Sequence, residues 1–258
     1  MKNNMFKTAV EFLLYSYFNL SFDDKDNVDL IIKNVVKKAQ ADALSQGAYY
    51  TLVTDKEESD KAIKKAKKYL FDTMKVILDN KQKYASFFEF HKSVCFKLVG
   101  CFSDVNEEKI LFSYGNAQKW LNMSIKYLCL INSVFKEFDV DSEFVRCYQS
   151  YLSDNEDNFD VPVDSFILDY IWNKTEVDAE KIPGYGDDLL KNSRRKNYKK
   201  PSDYLKKWSK WGDQKGDNED KEYSEFQKAL KVSVVKDESP IIWENRAWIY
   251  QARKRRDS

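Results

Sequence analysis

Glycine and proline are scarce in this chain, 7 and 4 among 258 residues, which argues against the turn-dense architectures of small β-proteins and favours long helices. The spacing of Gly47, Gly100, Gly115, Gly184, Gly186, Gly212 and Gly216 never builds a phosphate-binding loop. Histidine occurs once, as His91, and the four cysteines, Cys95, Cys101, Cys129 and Cys147, form no CxxC pair. Such a set offers no zinc site, so neither metal nor other cofactor is expected. With no arginine before it at the right spacing, His91 also excludes a helical ribonuclease of the Arg-x4-6-His type. No apolar run reaches the ~18 residues that a membrane span needs. The stretch from Ala9 to Leu20 is broken by Glu11 and lacks a small-residue cleavage pattern. The expectation is a cytoplasmic protein whose cysteines are reduced and buried as small hydrophobes. Charge of one sign is missing too: 43 basic and 42 acidic residues leave a formal net of +1, so only local clustering can mark a polyanionic partner.

What remains is 43% apolar content and many aromatics, enough to fill a real core. Apolar residues recur at helical spacing. Phe6, Val10, Leu13, Leu14 and Tyr17 predict one buried face of a first helix ending near Asn19, and Ile31, Ile32, Val35, Val36, Ala39 and Ala43 predict a second. A third helix over 57–79 sets lysines 61, 64, 65, 67 and 68 mostly opposite Ile63, Ala66, Leu70, Met74 and Ile77, as a solvated face would. Tyr84 to Phe102 is dense in aromatics and carries His91, which reads as a satisfied core histidine ahead of a catalytic base. The expectation is an all-α chain forming one two-lobed domain with a central cleft. Residues 1–110 make an N-terminal lobe, 111–172 line the cleft, and 173–258 form a basic C-terminal region.

The segment 111–172 carries the chemistry. Its helix from Asn116 is apolar at Ala117, Trp120, Leu121, Ile125, Leu128, Ile131 and Phe135, while Lys119, Asn122 and Lys126 share one face. They are either the wet side of the helix or a row of functional groups. Downstream, an acidic stretch delivers the chain to Val161-Pro162, and Asp164 falls beside a helix N-terminus, where a cap would satisfy free backbone N–H groups.

Val-Pro-Val-Asp164, followed by Ser-Phe-Ile-Leu, resembles the segment that carries the catalytic aspartate in helix-hairpin-helix DNA glycosylases, and Gly115-x-x-x-Lys119 is similar to their hairpin glycine and catalytic lysine. The same motifs resemble a group of uncharacterised bacterial proteins with Gly-x-Ala-Gln-Lys and Pro-x-Asp patterns. Phe166 stands where the family usually has histidine, and Lys119 and Asp164 are 45 positions apart, more than is usual there. Ile182-Pro-Gly-Tyr-Gly186 is closer to the hairpin consensus but follows the aspartate, with Asp187 and Asp188 placed to repel a phosphate. The resemblance implies a helix-hairpin-helix-like, DNA-binding enzyme. It would flip a base out of double-stranded DNA and cleave the N-glycosidic bond. Asp164 would stabilise the oxocarbenium-like centre. Lys119, or Lys126 in a shifted register, would attack C1′ if lyase chemistry accompanies excision, and Gly115 and Asn122 would sit against the nucleic acid. No cysteine cluster is present for the iron–sulfur centre of some members. A role in bacterial defence against modified phage DNA is consistent with the resemblance.

Between Lys191 and Lys210, nine basic residues face one acidic residue, Asp203, with Tyr198, Tyr204, Trp208 and Trp211 interleaved. That pattern suits phosphate contact combined with stacking, and Arg194, Arg195, Lys199 and Lys200 are its candidate nucleic-acid ligands. The Arg253-Lys-Arg-Arg256 tail is expected to be disordered and open to an anionic partner. A non-catalytic nucleic-acid-binding protein would use the basic segment without Lys119 or Asp164. A helical partner protein would use neither. Neutralising Arg194, Arg195, Lys199 and Lys200 together is expected to weaken nucleic-acid binding about equally across sequences and to flatten log affinity against log salt. Fluorescence anisotropy across a salt series measures both, and an unchanged slope removes the segment as a contact surface.

Overall fold

The computed structural model describes residues 2–44, 56–79, 84, 86–104, 112–173, 220–233 and 238–257. Every regular element among them is helical: α1 (Lys2–Phe18), α2 (Val28–Leu44), α3 (Lys56–Leu78), α4 (Phe87–Gly100), α5 (Tyr114–Glu137), α6 (Glu143–Tyr151), α7 (Ser165–Asn173), α8 (Lys221–Ser233) and α9 (Pro240–Arg256). Short 3-10 turns occupy Phe22–Asp24 and Ser153–Asn158. The expected all-α class is the observed one. No helix among the described residues is long and apolar enough to cross a membrane.

Local chemistry sets the helix ends. Asn19, in the left-handed region at φ 54°, closes α1 with its N–H on Tyr15 O at 2.8 Å, a conformation that asparagine tolerates better than most residues. Ser86 and Ser142 cap α4 and α6 by accepting from Glu89 N and Val145 N. At the start of α5, Asn116 Oδ1 accepts from Ser113 N at 3.1 Å, and Asn116 N donates back to Ser113 Oγ at 3.4 Å. This is a reciprocal capping box with asparagine in the third helical position. Gly115 therefore lies inside the first turn of the helix and does not form a glycine turn ahead of it.

The chain divides into two compact units, Met1–Phe102 with Trp120–Asn155, and Ser103–Lys119 with Glu156–Ser258. The boundary cuts α5 between Lys119 and Trp120.

In the first unit, Ile31, Ile32 and Val35 of α2, Ala66, Leu70 and Met74 of α3, Phe90, Val94 and Leu98 of α4, and Leu121, Leu128 and Phe135 of α5 are all buried. Trp120 adds its indole N–H to Val36 O at 3.1 Å. Lys61, Lys64, Lys65 and Lys68 of α3 are exposed, as a solvated face requires. Helix α1 differs from expectation: Leu14 and Phe18 are buried, whereas Phe6, Leu13 and Tyr17 are exposed. Its apolar positions wrap more than half the helix, and the i, i+4 pair that meets the core is the one continued by Leu20.

A polar cluster ties α1, α2 and α5 together at the edge of this core. Tyr127 OH donates to Asp42, Lys38 pairs with Asp42 at 2.7 Å and lies 4.1 Å above the Tyr17 ring, and the Tyr17 and Tyr127 hydroxyls are 3.3 Å apart. Burial, reinforced by the neighbouring Asp42 carboxylate, pushes the Tyr127 phenol above its ordinary range. For Lys38, burial acts to lower the ammonium, but Asp42 outweighs it and the net shift is upward.

Both shifts have one sign. A pKa raised in the folded state gives stability that is complete below the unfolded value, about 10 for tyrosine, and that is lost as pH climbs beyond it. Tyr127→Phe should therefore be less stable than the parent near neutrality, with the gap narrowing as pH rises past about 10. Urea unfolding at matched pH values checks this, and a gap that widens in alkali contradicts it.

Candidate functional site around Lys119 and Asp164

In the second unit, the chain from Phe159 to Val163 is buried although it forms no helix, so its backbone polar groups need partners. The side chain of Gln227, on α8, supplies two of them: its Oε1 accepts from Val161 N at 3.1 Å and its Nε2 donates to Val161 O at 2.7 Å. Next door, the Asp160 carboxylate accepts from Tyr223 OH at 2.8 Å and from Lys231 Nζ at 2.7 Å. Lys231 also donates to Asn158 O. Helix α8 thus holds both the backbone of Val161 and the side chain of Asp160. On the α5 side, Gln118 Nε2 donates to Gly115 O at 2.9 Å and lies 3.5 Å from Val163 O.

The segment ends at Asp164, the N-cap of α7. One carboxylate oxygen, Oδ1, accepts from Phe166 N at 2.9 Å and Ile167 N at 3.1 Å, which satisfies two of the free donors at the helix start. The other, Oδ2, faces Lys119 Nζ at 3.5 Å. The ammonium side chain is 3% exposed and the carboxylate side chain 13%. Two residues 45 positions apart in sequence thus form an ion pair almost sealed from water.

Helix α7 is held in turn by α9. Phe166 stacks on Trp248 with centroids 5.0 Å apart, and Tyr170 packs edge-on against Trp243 and Tyr250. Arg255 pairs with Asp169, donates to Ser165 O at 3.1 Å and lies 3.8 Å above the Phe166 ring. The basic tail, expected to be disordered, is helical through Arg256. Its order comes from this clasp and from four basic residues in a last turn, where the helix dipole favours them.

The remaining candidates fall elsewhere. Asn122, expected against nucleic acid, is buried in the first unit, where its Oδ1 lies 3.0 Å from His91 Nε2. His91 is buried as well, with Cys95 Sγ 3.8 Å from its ring nitrogens, so the expected core histidine is what the fold contains. Lys126 is also buried within the first unit. The row of Lys119, Asn122 and Lys126 is therefore not the wet side of a helix. Gly115 is buried in the first turn of α5. Arg194, Arg195, Lys199 and Lys200 lie outside the described residues, as does the second hairpin-like stretch 182–186. Among the described residues no cluster of three or more His, Cys, Asp or Glu side chains could hold a metal ion. Compared with protein-family models, curated proteins and solved structures, the chain matches none.

Sequence reasoning missed Gln227, Tyr223, Lys231 and Arg255, the residues that place Asp164 and its helix. By pattern Lys231 is an ordinary surface-helix cation and Arg255 part of a basic tail, and only the register of α8 against the segment and of α9 against α7 shows their use.

Viewed as a cap alone, Asp164→Asn would cost little, because asparagine caps a helix as well as aspartate does. The ion pair changes that expectation. Removing the carboxylate charge leaves the Lys119 ammonium buried without that counter-charge, a change that costs about 3 kcal/mol or more when a buried pair is broken on one side. Urea unfolding should show Asp164→Asn destabilised by about that amount. Lys119→Met with Asp164→Asn should recover most of the loss, and a double variant no better than Asp164→Asn would show that the two charges are uncoupled.

Proposed function

We propose that this chain is a DNA N-glycosylase-like enzyme, with Lys119 and Asp164 as its reacting pair. The observation that carries the reading is the approach of Lys119 Nζ to within 3.5 Å of Asp164 Oδ2 at a helix N-terminus. An amine beside a carboxylate suits departure of a base from a sugar. As the C1′–N bond lengthens, positive charge grows on C1′ and the ring oxygen, and a carboxylate in a water-poor site stabilises it far better than one in bulk solvent. The bonding pair leaves with the base nitrogen, which takes up a proton. Lys119, having given that proton to the base nitrogen, adds to C1′ as the free amine; the C1′–O4′ bond then breaks, its electron pair and an amine proton going to O4′, and water hydrolyses the resulting Schiff base to regenerate the amine. If water is the nucleophile, Asp164 alone performs the electrostatic work. The 3% exposure of Lys119 requires the flipped nucleotide to displace its surroundings on entry.

That same exposure, together with the double cap on Oδ1, favours a second reading, in which the pair is a structural clasp between α5 and α7 and carries no chemistry. Borohydride trapping separates the two. An oligonucleotide duplex containing an abasic site should be reduced onto the parent protein as a covalent adduct, with at least a hundredfold less adduct for Lys119→Gln. Abasic-site formation on duplexes carrying modified bases should fall by a similar factor for Asp164→Asn, in a preparation shown by circular dichroism to be folded. Adduct and base release that are absent from the parent, or equal in parent and variants, leave the clasp as the account of the pair.

A further inference from the structure

Helix α1 turns an unusual face outward. Met5, Phe6, Phe12 and Leu13 are 75%, 55%, 67% and 61% exposed, and Tyr15 and Tyr17 flank them at more than half exposed. Large side chains displayed to this extent present on the order of 700 Å² of mainly apolar surface, more than the largest patch on a typical monomer, about 300–600 Å². The two charged residues between Met5 and Phe18 are turned the other way. Lys7 lies 5.1 Å over the Phe22 ring, and Glu11 accepts from Phe22 N at 3.2 Å.

The pattern within the face is regular. Met5 and Phe12 are seven residues apart, and so are Ala9 and Ser16, which lie between the large side chains along the same stripe and are themselves exposed. Two large and two small positions at heptad spacing let a second helix seat its knobs over Ala9 and Ser16, with the backbones close.

We propose that this face is a homodimer interface in which α1 packs against α1 of a second copy of the chain. Three features choose that occupant. A two-fold contact brings the same patch of both copies into one seam, so a charge on the face would be buried twice, without an opposite charge unless the patch also carried one; the stripe carries none. Its large and small positions complement each other when the helix meets itself. Its exposed area is of the same order as the ~800 Å² that each partner buries in a standard protein interface, so α1 supplies much of what a stable dimer needs.

Sedimentation equilibrium of the full chain over about 1–100 μM should show a monomer–dimer equilibrium. Phe12→Glu brings two carboxylates together in a desolvated seam and should weaken association at least a hundredfold. Because Phe12 is exposed, the fold should be unchanged by circular dichroism; Leu13→Lys gives the same test from the other side of the stripe. Mixing Phe12→Glu with Phe12→Lys chains should restore association, since opposite charges then meet across the axis. A chain that stays monomeric throughout this range overturns the proposal, as does a dimer indifferent to both substitutions. A chain monomeric in solution that sediments with phosphatidylcholine vesicles would assign the face to a lipid surface instead.

Discussion

A helix buried over most of its length must find partners for the polar groups it buries, and α5 is such a helix. Every residue from Phe112 to Cys129 is buried, and seven of them are polar: Ser113, Asn116, Gln118, Lys119, Asn122, Ser124 and Lys126. An unsatisfied buried polar group costs about 1–3 kcal/mol and a buried charge more, so these side chains constrain what surrounds them as firmly as the apolar ones do. Ser113 and Asn116 close the helix start on each other, Gln118 reaches Gly115 O, Ser124 back-bonds to Trp120 O, Asn122 meets His91, and Lys119 meets Asp164. The arrangement of α4 in the first unit and of the 159–164 segment in the second both answer to this one helix.

In the second unit, the consequence is a chain of dependence that ends at a single carboxylate. Asp164 can serve α7 with one oxygen and Lys119 with the other only while the segment before it runs extended and dry. Gln227, Tyr223 and Lys231 of α8 hold it so. The first turn of α7 is fixed from the other direction by Arg255 and the Phe166–Trp248 stack. A rigid frame of this kind is what a reacting pair needs, and a structural clasp has it too, so rates rather than stability tell the proposed chemistry from its alternative.

Helical class and most helix positions were legible from periodicity, because burying one face of a helix demands apolar residues every three to four positions. The stripe Ile31, Ile32, Val35, Val36, Ala39 predicted α2 and its core face together. The stripe on α1 predicted a helix but not its orientation. Apolar residues run round more than half of that helix, and periodicity cannot say which part meets the core. Lys119, Asn122 and Lys126 were legible as one row, but their burial was not, since a polar row along an apolar helix marks a solvent face until other elements cover it.

By itself the sequence determined the features that near neighbours along the chain impose on one another: an all-α architecture, a helix starting at or beside Asp164, and a lone histidine set among aromatics. These depend on backbone hydrogen bonding and side-chain period, which act over a few residues. Only the tertiary structure decided that Asp164 faces Lys119, that Asn122 serves His91, and that the basic C-terminal turn is ordered by Asp169 and Phe166. Each joins residues at least 31 positions apart, and an ion pair or hydrogen bond of this range depends on ångström-scale packing of helices, which no local pattern encodes.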